Sequence, residues 1–177
     1  LELNRMAFSD ALPRNSESRA LGVAFRLIRK HYPHVEWIVS FSDGAQCGDG
    51  AIYRASGFVL TGIKKNNQIW KAPDGETFSR MSLTDNTSKQ QRQQARQVVS
   101  RMTLLKGGHN KDTGAASMKA YAAAGFKPIP GFQLRYIKFI DPTARERLTA
   151  PILPFSKIDE MGAGMYKGKP RVKQATT

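Results

Sequence analysis

Three groups of residues have types and spacings suited to chemistry. Arg14, Asn15, Ser16, Ser18 and Arg19 crowd a short polar stretch that runs into a helical pattern. A helix start offers unpaired N–H groups and a positive dipole end, so cations and hydroxyls gathered there suit a phosphate or pyrophosphate. The alternative is an ordinary capped helix behind a solvated loop. Tyr53 stands one turn before Gly57-Phe58. A phenol keeps its proton at neutral pH and can pass it to a departing thiolate, although the same residue can serve as a core aromatic. Ser40, Ser42 and Asp43 close an apolar run, at the strand end where open α/β sheets place ligands. Asp43 suits a base or an amine-orienting group, and equally a cap for the next helix. A pyrophosphate seat beside a positioned phenol outlines a coenzyme A-dependent transferase.

Regular structure on either side has to hold these groups in place. Leu1 to Phe8 alternates and then turns apolar, as a partly buried strand does. Asp10 to Ser18 is a loop broken by Pro13, with Asn15, Ser16 or Ser18 available to cap the helix after it. Leu21, Ala24, Phe25 and Ile28 then form one stripe at helical spacing, while Arg29 and Lys30 suit the helix's negative end. Val35 to Phe41 reads as an interior strand, Ala51 to Ser56 as a helix closed by Gly57, and Phe58 to Ile63 as the next strand. This is an α/β pattern.

Beyond Lys64 the chain elaborates on that frame. Gln68 to Lys71 and Thr77 to Met81 flank Pro73-Asp74-Gly75-Glu76 as a hairpin. Ser88 to Leu105 is an amphipathic helix with Lys89, Arg92, Arg96 and Arg101 on its polar sides. Thr113 to Ala124 is an Ala-rich helix ending at Gly125, and Phe132 to Ile140 alternates as a strand. Gly162 to Thr177 reads as an extended basic tail. The expected organisation is a cofactor-binding core over 1–64, an elaboration over 65–161 and a tail over 162–177, within one domain overall.

With 28 Lys+Arg against 14 Asp+Glu, the 177-residue chain carries a formal charge of +14. That excess favours a polyanionic partner such as nucleic acid over a merely solubilising surface. The basic helix carrying Lys89, Arg92, Arg96 and Arg101 is the candidate for DNA-backbone contact. One cysteine, Cys47, excludes an internal disulfide and fits a reducing cytoplasm. No apolar run approaches the roughly 20 residues needed to cross a bilayer. His31 and His34, with Cys47 nearby in sequence, make a metal conceivable, but no ligand spacing supports one.

The chain resembles the GNAT acetyltransferase superfamily. Tyr53-Arg54-Ala55-Ser56-Gly57-Phe58 matches one signature, with Tyr53 at the thiol-protonating position. The pyrophosphate signature, Arg/Gln-x-x-Gly-x-Gly/Ala, can be laid on Arg19-Ala20-Leu21-Gly22-Val23-Ala24. It can also be laid on Arg14 to Arg19, which fits the expected helix start but puts Glu17 and Arg19 where glycines belong. The fold this implies is a GNAT-like mixed sheet flanked by helices, with a helical and β C-terminal elaboration. The resemblance also places Asn4, Arg5 and Met6 on a strand whose open end pairs with a pantetheine arm, and it implies acetyl-CoA or a related acyl-CoA as cofactor. GNAT domains begin with further strands and helices, so an N-terminal part of the fold is expected to precede Leu1.

Closer still is a resemblance to the Mom DNA-modification family of Mu-like phages, a divergent GNAT branch. It is carried by LELNRMAF, PRNSESRALG, SFSDGAQCGDGAIYRASGF, YIKFID and PILPFSK, and it covers nearly the whole chain. This implies a phage- or prophage-encoded enzyme in the host cytoplasm. Such an enzyme adds a carbamoylmethyl group to the exocyclic amine of adenine in duplex DNA, protecting phage DNA from restriction. The adenine must leave the stack, so aromatic walls are needed, for which Trp70, Phe78 and Tyr136 are candidates unless they pack the core. Two other readings stand beside it: a conventional acetyltransferase acting on a protein or small-molecule amine, and a non-enzymatic basic DNA-binding protein on a GNAT frame.

Overall fold

The computed structural model describes residues 1–84, 117–166 and 168–170, apart from Arg5, Ala7, Asp10 and Gln46, with only the backbone of Ser82. The chain divides into two compact units, one formed by Leu1–Lys65 with Gly131–Thr177 and the other by Asn66–Pro130. Both are mixtures of helix and strand.

The first unit is built on a four-stranded sheet in the order β1 (Glu2–Leu3), β2 (Trp37–Asp43), β7 (Gly131–Phe139) and β3 (Val59–Asn66). β1 runs parallel to β2, and β7 runs antiparallel to it over seven residue pairs from Trp37↔Phe139 to Asp43↔Gln133. The strand expected over Leu1 to Phe8 is therefore only two residues long, because its pairing stops at Leu3. The strand read as part of an elaboration, Phe132 to Ile140, is Gly131–Phe139 and stands between β2 and β3. On β2, Ile38, Ser40 and Ser42 are buried, while Trp37, Val39 and Asp43 are half-buried and Phe41 is exposed. That period of two is the signature of a strand whose faces meet different surroundings.

Helix α1 (Ser16–His31) covers the sheet with Leu21 and Phe25 buried. Phe25 meets Phe58 edge-on with ring centroids 5.8 Å apart, and both belong to a core with Ile38, Leu60, Leu134 and Tyr136. α1 stops at Tyr32 because Pro33 disfavours the helical conformation in the residue before it. α2 (Ala51–Ala55) is closed by Gly57, whose φ of 74° suits a residue without a Cβ. The C-terminal part is more ordered than an extended tail. It contains a 3₁₀ turn (Pro142–Arg147), helix α5 (Ser156–Glu160) with Ile158 buried, and a hairpin of β8 (Met165–Tyr166) and β9 (Lys169–Pro170). Gly162 falls in the turn after α5. Of the expected tail, Ala163 is buried in the core and Met165–Tyr166 pairs with Lys169–Pro170, while Lys167 and residues 171–177 lie outside the described residues.

In the second unit, β4 (Ile69–Lys71) lies between β5 (Thr77–Ser79) and β6 (Lys127–Pro128), forming the expected hairpin around Gly75. α3 (Arg80–Thr84) and α4 (Met118–Ala123) supply Leu83 and Tyr121 to a small core with Ala72 and Phe126. α4 begins at Ser117, whose hydroxyl accepts from the Ala120 N–H at 3.2 Å. The expected helix over Ser88 to Leu105 lies outside the described residues.

Candidate active-site cleft

β1 and β2 are paired only at Glu2↔Val39 and Leu3↔Ser40. Ser40, fully buried, donates its hydroxyl to the Leu3 carbonyl at 2.8 Å, and the pairing ends there. Beyond this point β2 keeps β7 on one side, while the chain after Leu3 leaves the sheet. The parting strands open a cleft of about 620 Å³. Met6 and Phe8 line one side, Phe41 and Ser42 the other, and Glu17 and Tyr53 also reach it.

Tyr53 is held by the loop before α2. The Tyr136 hydroxyl, fully buried, donates to the Asp49 carbonyl at 2.6 Å. Arg54 donates to the same carbonyl at 2.9 Å and to the Asp49 carboxylate at 3.1 Å. Asp49 is only 5% exposed, so this pair lies in surroundings where losing one partner is costly. Gly50 comes next in the chain at a φ of 80°, and a Cβ there would run into the Tyr136 ring, 2.8 Å from its Cζ. Only glycine fits this close approach. One turn on, the Tyr53 ring lies 5.3 Å from both Phe58 and Tyr136, one edge in the core and the other toward the cleft.

Among the other expected site residues, Ser42 lines the cleft and its buried hydroxyl donates to the Gly48 carbonyl. Asp43 does not line it. Its carboxylate accepts from the Ala45 N–H at 2.8 Å, and its carbonyl accepts from Cys47 N–H, so the side chain forms the turn that ends β2. Asn4 is exposed past the end of the ladder, Met6 lines the cleft, and Arg5 lies outside the described residues.

At the start of α1, Arg14, Asn15 and Arg19 are exposed. Asn15 sits at a φ of 69° and makes no side-chain cap. The Ser16 hydroxyl donates to the Pro13 carbonyl at 2.6 Å and the Ser18 hydroxyl to the Asn15 carbonyl at 3.0 Å, so both hydroxyls brace the loop. The loop-to-helix junction falls inside Arg14 to Arg19, whereas Arg19 to Ala24 is helical throughout. Nothing lies within 4 Å of a Cβ built on Gly22, so no close approach demands a glycine there. The side chain that α1 gives to the cleft is acidic Glu17, opposite in sign to what a pyrophosphate seat requires.

Lys89, Arg92, Arg96 and Arg101 lie outside the described residues. Tyr136 is fully buried, and Trp70 and Phe78 pack against the core of the second unit, so none of the three expected walls lines the cleft. His31 and His34 are exposed at and after the end of α1, and among the described residues no three His, Cys, Asp or Glu side chains gather as a metal site. Among the described residues Asp141 and Glu160 titrate below their ordinary values: the Thr143 backbone and side-chain hydrogen bonds lower Asp141, and Lys157 with Ser156 lowers Glu160. Neither residue lines the cleft.

Sequence reasoning missed Phe41, Phe8 and Tyr166 as cleft residues. Phe41 carried a signal, because the period of β2 puts it on the opposite face from Ser40 and Ser42, leaving a large aromatic outside the core. Tyr166 carried none. It reaches the cleft because β8 forms a bridge to Gly48 and the Gly168 N–H donates to the Gly44 carbonyl at 2.9 Å.

Residues 1–157 match the profile of the Mom protein family. A protein of Escherichia phage Mu, named methylcarbamoylase Mom, is 32% identical over 153 residues, covering 86% of this chain and 53% of that protein. The chain thus spans about half the length of the curated relative it matches.

Proposed function

The chain belongs to the Mom protein family, and from that premise we propose that it is the cofactor-binding part of a transferase that places a carbamoylmethyl group on adenine in duplex DNA. The observation that carries this reading is the cleft between the parted strands with Tyr53 on its wall. It supports a GNAT-like use of the sheet, in which an amide-rich cofactor arm adds to β2 beyond Ser40 as a peptide adds to a sheet edge. Acetyl-CoA or a related acyl-CoA would supply the two carbons as a thioester. The amide nitrogen, and the two-electron oxidant needed to join the methyl carbon to the adenine amine, would come from further co-reactants. Exposed Arg14 and Arg19 at the start of α1 favour the coenzyme's phosphates, while Glu17 opposes them.

The chain's own residues have separable roles. Ser40 fixes the point where the strands part, and Ser42 holds the Gly48 carbonyl beneath the cleft floor. Tyr53, its ring already aligned by Phe58 and Tyr136, would present its phenolic proton to the sulfur of a bound thioester. Arg14 and Arg19 draw the phosphates to the N-terminus of α1. The net charge of +14 and the Lys89 to Arg101 segment bring the DNA.

Nucleoside mass spectrometry on DNA from cells expressing the full-length protein tests this reading. The expected result is carbamoylmethyl-adenine, lost in Tyr53→Phe. Unmodified DNA together with an acetylated protein or small amine would replace it with a conventional acetyltransferase. Unmodified DNA that is still bound tightly would leave a DNA-binding protein without chemistry.

A further inference from the structure

Phe41 borders a second pocket. It has a volume of about 220 Å³ and is lined by Phe41, Gly62, Ile63, Lys64, Gln133 and Arg135, all in the first unit. Phe41 and Arg135 are directly paired across β2 and β7, so they stand side by side on one face of the sheet. That face is opposite to the one holding buried Ser40 and Ser42. Phe41 also lines the larger cleft, so one residue borders both spaces.

The pocket has the parts that recognise a single nucleotide. Phe41 is 41% exposed, an open ring face on which a base can stack. Gln133 is exposed beside it, and its amide can both donate to and accept from a purine edge. Arg135 is fixed, with Nε donating to the Thr61 hydroxyl at 3.0 Å and a terminal nitrogen donating to the Thr61 carbonyl at 3.1 Å. Lys64 and its neighbour Lys65 are exposed cations at the rim, suited to a phosphodiester. Gly62 leaves the wall low, since a Cβ there would just touch the Arg135 side chain at 3.7 Å. A space of about 220 Å³ suits a single base, which has to leave the duplex to enter it.

We propose that this pocket receives the extruded adenine of the DNA substrate, stacked on Phe41 and held at its edge by Gln133, with Lys64 on the flanking phosphate. The inference rests on the DNA-modifying reading above and gives its acceptor a place across β2 from the cofactor. The shared Phe41 ring then sets the meeting point of amine and donor. Trp70, Phe78 and Tyr136, the base walls expected from the sequence, have no part in it.

The test uses the full-length protein and a duplex carrying 8-azidoadenine opposite a mismatch, which eases extrusion. Duplex binding is followed by fluorescence anisotropy, and the photo-crosslinked peptide is identified by mass spectrometry. The crosslink should fall on the peptide containing Phe41 or the one containing Gln133. Gln133→Ala and Lys64→Gln, neither of which lines the cofactor cleft, should cut crosslinking yield several-fold while acetyl-CoA still raises the melting temperature. Tight duplex binding with crosslinks elsewhere, on the Trp70 hairpin for example, overturns the pocket and leaves the DNA reading intact. Absence of duplex binding in the unaltered protein overturns both.

Discussion

The Ser40 hydroxyl donates to the Leu3 carbonyl at 2.8 Å, at the last residue pair that β1 and β2 share. A side chain thus takes up a backbone acceptor where the strand ladder stops, which holds the mouth of the cleft at one register. Ser40→Ala removes that side-chain donor in a buried setting, at a cost of about 0.5–1.5 kcal/mol. Calorimetry should show a lower melting temperature, and the rise produced by acetyl-CoA should also shrink because the cleft loses definition. A lowered melting temperature with a full ligand-induced rise would confine Ser40 to fold stability.

Tyr53→Phe keeps the ring contacts with Phe58 and Tyr136 and removes only the hydroxyl. Stability and acetyl-CoA affinity should therefore hold, while the modification rate falls by about 10²- to 10⁴-fold, the range for a lost general acid. A quenched-flow rate equal to that of the unaltered protein would return Tyr53 to a packing role.

Charge at the head of α1 gives a prediction with a definite sign. If a pyrophosphate seats there, Glu17 repels it, and Glu17→Gln should tighten acetyl-CoA binding measured by isothermal titration. Arg14→Ala combined with Arg19→Ala should abolish the acetyl-CoA-induced rise in melting temperature without unfolding the protein. Weaker binding in Glu17→Gln would mean that the carboxylate contacts the ligand as an acceptor and that the phosphates lie elsewhere.

The α1 stripe of Leu21, Phe25 and Ile28 and the Gly57 stop of α2 were legible because spacing and local backbone demands fix them. Tyr53 was singled out through its place in the Tyr53–Phe58 signature, and that it lines the cleft comes from the tertiary structure. The short β1 was not legible, since its end depends on a hydrogen bond from Ser40, distant in sequence. Asp43 could be read as base or cap from its place alone, and the N–H that decides its geometry, that of Ala45, lies in a turn with no periodic signal. Phe41 shows the converse: its outward position came from the strand period, but its use at two adjoining spaces needed the tertiary structure.

The Tyr136 ring occupies the space that a Cβ on Gly50 would need. Gly50→Ala drives a Cβ into the aromatic ring at a φ of 80°, combining backbone strain of roughly 1–3 kcal/mol with a clash that neither rigid neighbour relieves. Tyr136→Phe is milder, removing one of two donors to the Asp49 carbonyl for about 0.5–1.5 kcal/mol and keeping the ring. Chemical denaturation should rank Gly50→Ala below Tyr136→Phe, and both below the unaltered protein. Equal stability for Gly50→Ala would mean that the loop before α2 has another conformation within reach.

The DNA contact can be tested through salt. If Lys89, Arg92, Arg96 and Arg101 neutralise phosphates, duplex affinity should fall steeply as ionic strength rises, because each contact releases condensed counterions. Arg92→Gln with Arg96→Gln removes two cations and leaves the apolar residues of that segment unchanged. Affinity should weaken alike for every sequence, and the slope of log affinity against log salt should shrink by about 0.9 per lost contact. Acetyl-CoA binding should persist, since the described residues that line the cleft all belong to the first unit. Fluorescence anisotropy across a salt series gives both quantities at once. An unaltered slope would take these arginines out of the interface and turn attention to Lys64, Lys65 and the basic residues from Lys167 onward.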